Sequence, residues 1–157
     1  MRKEYFRLLF KLMGQHKNIF ALTGDLGYIG FDRIKTEYGK RFINCGASEQ
    51  AMLDIAVGLA LSGAIPFTYT ITPFYLRAFE TIRTYLNHEE HHIIMVGSGR
   101  DKDYETDGFS HDATDISTLL NGLPNVAQFY PESKEQMTTV VESSLFMKQP
   151  AFISLKR

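Results

Sequence analysis

The segment Asn44-Cys45-Gly46-Ala47-Ser48-Glu49-Gln50-Ala51-Met52-Leu53-Asp54-Ile55-Ala56-Val57-Gly58-Leu59-Ala60-Leu61 decides the fold. It begins where the apolar pair Phe42-Ile43 ends, and it continues as an Ala- and Leu-rich run with little charge. This reads as a short strand, a glycine turn and a long helix over residues 48–62, apolar enough for both faces to be buried. Glu49 stands at the mouth of that helix. A carboxylate in such a place is expensive unless it is hydrogen-bonded or paired. Two readings fit the spacing. In one, Ser48 caps the helix and Glu49 merely faces the positive end of its macrodipole. In the other, a buried carboxyl is poised to share a proton.

Outward from this segment, helical and strand patterns alternate. Residues 2–14 read as a helix with Tyr5, Leu8, Leu9 and Leu12 on one face, stopped by Gly14. Strands are expected over residues 18–23, 41–44, 65–70, 93–96, 126–130 and 151–155. Further helices are expected over residues 31–38, 73–87, 112–121 and 134–146, the second opening with proline. Residues 97–109 read as a polar loop. Strands separated by helices imply a parallel sheet with helices on both faces, a three-layer α/β/α domain over residues 1–157. Ligands of such sheets bind beyond the carboxyl ends of the strands. Asp25, Glu49, residues 72–74 and the loop ending at His111 all fall there.

Composition narrows the function classes. The 157 residues fit one domain with a real core, with 44% hydrophobic and 22% charged residues. A net charge of −1 with no basic block gives no electrostatic footprint for nucleic acid. The single cysteine, Cys45, cannot form an intrachain disulfide and points to a reducing, cytoplasmic setting. Met1-Arg2-Lys3-Glu4 opens an amphipathic helix, not a signal sequence. No apolar run approaches the roughly 18 residues of a membrane span, so no membrane partner is expected.

Other constellations carry two readings each. Phe74, Tyr75, Arg77 and Phe79 form either the core face of an amphipathic helix or a stacking platform for a flat heteroaromatic ring. His111, in Asp107-Gly108-Phe109-Ser110-His111-Asp112, either caps the next helix or moves a proton near neutral pH. His88-Glu89-Glu90-His91-His92 has histidines four apart but is not the His-Glu-x-x-His zinc pattern, and a solvated connection accounts for it. Gly97-Ser98-Gly99 lacks the remaining residues of either phosphate-binding glycine motif.

Taken together, Gly46-Ala47-Ser48-Glu49-Gln50-Ala51-Met52 and the following Gly-containing helix closely resemble the pyrimidine-binding domain of transketolase-like, thiamine-diphosphate-dependent enzymes. Thr70-Ile71-Thr72-Pro73-Phe74-Tyr75-Leu76-Arg77-Ala78-Phe79-Glu80-Thr81-Ile82-Arg83 and the Asp107–His111 loop look like two further elements of that family. So do Gly24-Asp25-Leu26-Gly27 and the ending Gln149-Pro150-Ala151-Phe152-Ile153-Ser154-Leu155. The resemblance implies that Glu49 hydrogen-bonds the cofactor's aminopyrimidine and shifts its tautomer, which activates the thiazolium carbon. It implies that Phe74 stacks on that ring, with Tyr75 as the substitute because Pro73 precedes the aromatic. Arg77 then lies at the ring edge, Asp25 near the cofactor, and Asp107 and His111 at substrate oxygens. Phe109 and Asp112 depart from the family pattern and bear on substrate choice. A sugar or sugar-phosphate substrate is implied, but Ile29 stands near where a serine phosphate ligand is expected, so either the partner binds the phosphate or the substrate is unphosphorylated or unusual.

The family's Gly-Asp-Gly…Asn motif, which holds the diphosphate through Mg2+, has no counterpart here. No metal ligands are assigned to this chain. The expectation is a single pyrimidine-binding domain of a split enzyme, without the diphosphate-binding and C-terminal domains. A second polypeptide then brings the metal site, most simply in a heterotetramer, with a homodimer possible in isolation. Transfer of a two-carbon ketol unit between sugars is the leading activity. A 2-oxo acid decarboxylase or dehydrogenase subunit and a non-catalytic regulatory relic are the alternatives.

Overall fold

A computed structural model describes the backbone of residues 1–157 and every side chain except that of Tyr28. Period-two alternation along the strands builds two cores, one on each face of the sheet. Ile94 and Val96, Phe67 and Tyr69, and Ile153 and Leu155 point to one side. Leu22, Met95 and Phe152 point to the other. The first core is closed by α1 (Arg2–Gln15), α2 (Tyr28–Tyr38) and α6 (Lys134–Ser144), the second by α3 (Glu49–Leu61), residues 72–88 and α5 (Ile116–Leu120).

The strands are β1 (Ile19–Thr23), β2 (Phe42–Asn44), β3 (Ile65–Ile71), β4 (Ile94–Ser98), β5 (Ala127–Phe129) and β6 (Ala151–Leu155). They form one parallel sheet in the order β2-β1-β3-β4-β6-β5. The chain leaves β1 toward β2 on one side and leaves β3 toward β4 on the other. The β1/β3 junction is therefore the switch point of the sheet, where a crevice opens beyond the strand ends. Among the described residues, no helix is long and apolar enough to cross a membrane.

Several local expectations are corrected. Residues 73–87 are not one α-helix. Thr72–Ala78 is a 3-10 helix, α4 is a single turn (Phe79–Thr81), and Ile82–His88 is π-helical. The tight winding goes with its burial pattern: Thr72, Tyr75 and Ala78 are buried at a spacing of three, the 3-10 period. Helix α3 does not bury both faces, since Ile55 is 39% and Leu61 66% exposed. Ser48 is its N-cap residue but makes no side-chain cap bond. Gly14 does not end α1, which runs to Gln15. The helix expected over residues 112–121 shrinks to α5, because the Asp112 carboxylate accepts the Thr114 N–H at 2.9 Å and Ala113 pairs with Asp101. Residues 97–98 belong to β4, and the supposed polar loop contains a buried arginine, Arg100.

Gly97 is where β4 and the 3-10 helix pack closest. A Cβ there would stand 2.4 Å from Thr72 Oγ1 and 3.1 Å from Phe152 Cζ. Thr72 Oγ1 also donates to the Gly99 carbonyl. Gly97→Ala should therefore cost about 1–3 kcal/mol by overpacking, read as a lower denaturant midpoint.

His92 supplies a pH handle. Its burial pushes the imidazole below its ordinary value of 6.5, against the opposing pull of the Ser144 carbonyl 2.8 Å from Nε2. Folding favours the neutral ring, so the unfolded chain binds the proton more readily. The contribution to stability should be complete above pH 6.5 and lost as pH falls through the lower folded value. His92→Gln should flatten that part of the stability–pH curve in denaturant titrations.

Candidate functional site

At the switch point the Glu49 side chain is 2% exposed. Its charge is matched from two elements. Thr70 Oγ1, at the end of β3, donates to Oε1 at 3.2 Å. Arg77 Nη1, in the 3-10 helix, donates to Oε2 at 2.7 Å. The Gly24 backbone, just past β1, closes the Oε1 side. A Cβ at Gly24 would lie 3.2 Å from Thr70 Oγ1 and 3.3 Å from Glu49 Oε1. The Oε1 side is thus crowded, and Oε2 faces Arg77.

Eclipsing at three-residue spacing puts Arg77 over Phe74. The guanidinium carbon stands 3.9 Å from the Phe74 ring centroid, a cation–π contact. Phe74 also meets the His111 ring edge-on at 5.0 Å between centroids. His111 in turn packs on Tyr104 at 6.3 Å, and Ser110 Oγ lies 3.0 Å from its Nδ1. A continuous row runs from a buried carboxylate, across a planar cation and an aromatic face, to a partly buried imidazole. Such a row can hold a flat, N–H-bearing ring between an acceptor and a stacking face.

Tyr104 is itself pinned. Its hydroxyl accepts from Arg2 Nη1 at 2.9 Å and lies 3.1 Å from Ser98 Oγ. Gly99, at φ +85°, allows the ring to lie against the backbone, where an added Cβ would be 2.3 Å away. The base of the loop is held by Arg100, which bonds the Pro131 carbonyl at 2.9 Å, Ser154 Oγ at 3.3 Å and the Glu132 carboxylate. Lys156 and Arg100 share Glu132, and the hydrogen bond from Lys156, with the charge of Arg100, holds that carboxyl below its usual range.

The family model for the transketolase pyrimidine-binding domain matches residues 1–157. The chain belongs to that family. It is 34% identical over 158 residues to a human transketolase, covering 99% of this chain and 25% of that protein. It is 28% identical to a Methanocaldococcus jannaschii protein described as a putative transketolase C-terminal section, covering 100% of this chain and 50% of that one. The chain thus spans half or less of the length of these relatives. A solved split-gene transketolase, described as an inactive beta4 tetramer, superposes with a TM-score of 0.87 at 28% identity. It is covered over 50% of its length. A transketolase from Leishmania mexicana superposes at 0.88 but at 23% identity, so it speaks for the fold alone.

Of the candidate cofactor and substrate residues named from the sequence, the structure brings together Glu49, Phe74, Arg77 and His111. Tyr75 is a correction. It is 3% exposed in the core, and its hydroxyl lies 2.9 Å from Thr68 Oγ1 and accepts the Val96 N–H at 3.1 Å, so it offers no face to a ligand. Burial pushes that hydroxyl far up, above the reach of physiological pH. Asp25 follows Gly24 in a left-handed conformation, φ 59°, and accepts from Asn44 Nδ2 at 3.2 Å. Asp107 is exposed in the turn leading to His111, and Ile29 is 93% exposed. Thr70, Gly24 and Tyr104 were missed. Thr70 carried a usable signal, as a polar residue at the end of a buried strand facing the helix that begins with Glu49.

A cavity of about 680 Å3 lies elsewhere, between α1 and α2, with Phe6, Phe10 and Ile34 in its lining and Arg2, Lys3 and Arg33 among its charged walls. None of Glu49, Phe74 or Arg77 lines it. Among the described residues, no group of three or more His, Cys, Asp or Glu side chains could hold a metal ion.

Tyr75→Phe should lower stability by about 1–3 kcal/mol, because it strips the buried Val96 N–H of its Tyr75 hydroxyl partner. Chemical denaturation measures the loss. An unchanged midpoint would show the hydroxyl to be dispensable to the core.

Proposed function

We propose that this chain is the pyrimidine-binding subunit of a split transketolase-like enzyme that transfers a two-carbon ketol unit between sugars. The observation that carries the reading is Glu49: a nearly fully buried carboxylate beside an aromatic face, at the switch point of a parallel sheet, in a chain of this family. Transketolases depend on thiamine diphosphate, which when bound supplies the carbon nucleophile that carries the transferred unit.

The residues present fit the aminopyrimidine end of that group. Glu49 Oε2 already holds a planar N–H donor, stacked on Phe74. In the proposed role Glu49 hydrogen-bonds a ring nitrogen and shares a proton with it, while Thr70 keeps the carboxylate oriented. Phe74 excludes water from one ring face. His111, edge-on to Phe74, holds or moves a proton at a substrate oxygen, and Asp107 binds substrate hydroxyls. Asp25, beyond β1, borders the same crevice.

The diphosphate and Mg2+ are assigned to a partner polypeptide in a hetero-oligomer of two copies each. The split-gene transketolase among the solved structures supports this division. So does the outer face of α3, where Ile55 and Leu61 are exposed on the helix that carries Glu49. A cytoplasmic setting follows from the same reading.

Titration of thiamine diphosphate and magnesium into the full chain, alone and mixed with a Gly-Asp-Gly…Asn polypeptide, tests the proposal. Tight binding and ketol transfer are expected only in the mixture, with transfer reduced at least about 100-fold in Glu49→Gln. Transfer indifferent to Glu49, or no cofactor binding in the mixture, would sink the catalytic reading.

A further inference from the structure

The guanidinium of Arg77 occupies the place that the proposed ring has to take. It is planar, it presents an N–H to Glu49 Oε2 at 2.7 Å, and its carbon lies 3.9 Å from the Phe74 centroid. Those are the features by which an aminopyrimidine would be held: a flat π-face against Phe74 and an edge N–H on the carboxylate. The Oε1 side of Glu49 is crowded. Oε1 is taken by Thr70, and the Gly24 backbone leaves no room for even one added carbon at ordinary contact distance. A ring and the guanidinium cannot both lie between Oε2 and Phe74.

Arg77 is built to leave. Its side chain is 53% exposed, while that of its partner Glu49 is 2% exposed. Among the described residues, its hydrogen bond to Glu49 and its stack on Phe74 hold the head group. The side chain springs from the surface of the 3-10 helix, so rotation about its own torsions carries the head into water without moving Tyr75 or Ala78, which anchor that helix in the core.

The geometry points to Arg77 as a gate: an internal stand-in for the aminopyrimidine that neutralises Glu49 and must swing out before a planar heteroaromatic ligand enters. This deepens, and rests on, the reading of Glu49 and Phe74 as the aminopyrimidine site. A gate of this kind lowers apparent affinity by the fraction of molecules in which it is open. It also sets a chemical filter. A ligand gains the slot only by replacing what it displaces, a flat donor able to satisfy a buried carboxylate. Saturated amines and purely apolar rings do not meet that condition.

The test is binding of 4-amino-2-methylpyrimidine to the full chain, followed by NMR chemical-shift perturbation in wild type, Arg77→Ala, Arg77→Lys and the double variant Glu49→Gln/Arg77→Ala. Arg77→Ala should bind the fragment at least tenfold tighter than wild type, with shifts centred on Gly24, Thr70 and Phe74. Arg77→Lys keeps a charge near Glu49 but cannot cover Phe74 with a plane, and should bind at least threefold tighter than wild type. The double variant should lose the gain.

Equal or weaker binding in Arg77→Ala would overturn the gate while leaving the aminopyrimidine site in place, since the fragment still binds wild type. Should Arg77→Ala be unfolded by its spectrum, Arg77→Lys decides by the same criterion. No shift in any folded variant would overturn both the gate and the reading beneath it.

Discussion

A carboxylate that is 2% exposed has to be matched by donors or the fold loses several kcal/mol, and the matching of Glu49 ties together the parts of this domain. Its two oxygens draw on β3 through Thr70 and on the 3-10 helix through Arg77. Its position as the first residue of α3 adds the positive end of that helix's dipole. The closeness of Gly24 completes the enclosure from β1. Three stretches of chain, at Gly24, Glu49 and residues 70–77, are thus required to meet at one pair of oxygens. That meeting point is the place where strand order reverses and a crevice is topologically available.

The irregular winding after β3 follows from the same requirement. An α-helix over residues 72–78 would offset Phe74 and Arg77 by about 60° around the axis. Winding with three residues per turn stacks them, and it sends Thr72, Tyr75 and Ala78 together into the core. The hydroxyl of Tyr75 then bonds β3 and β4, and Thr72 bonds the Gly99 carbonyl, so the outer pair is mounted on a rigid inner row. The π-helical turn that follows is a geometry concentrated at functional sites and absorbs the change back to wider winding.

How much of this was legible in the sequence differs by element. The three-layer parallel architecture was, because apolar strands alternating with amphipathic helices admit few other arrangements. Glu49 was, because a lone charge opening an Ala- and Leu-rich helix is conspicuous. The 3-10 helix was read as α because its aromatics fit a helical face loosely, although the inward residues at 72, 75 and 78 keep a strict period of three. Tyr75 was proposed as a stacking face because Pro73 precedes the aromatic. The period alone does not choose that row, since Pro73, Leu76 and Phe79 keep the same spacing; the packing of the folded chain does. The pairing of Arg77 with Glu49 was out of reach, since a contact across 28 residues depends on strand order and winding together. The exposed face of α3 was misjudged for a different reason. Its apolar composition says that the helix seeks burial, not that this chain alone provides it.

The pairing of a buried carboxylate with a half-exposed arginine carries its own argument about design. Two fully buried partners would be stable but inert, since separating them would strand both charges in a medium of low dielectric. Two exposed partners would be worth little and would leave the carboxylate hydrated. Placing only Glu49 inside makes the pair asymmetric. Departure of Arg77 returns one ion to water at small cost and leaves the other with a strong demand for a replacement donor. On the proposed reading, that demand is what selects an aromatic amine over water. A single water reaching Oε2 would bring one donor and no surface for Phe74, whereas a planar heterocycle satisfies both together. The asymmetry of burial, rather than the strength of the ion pair, is then the property that lets one carboxylate serve the stability of the domain and its chemistry in turn.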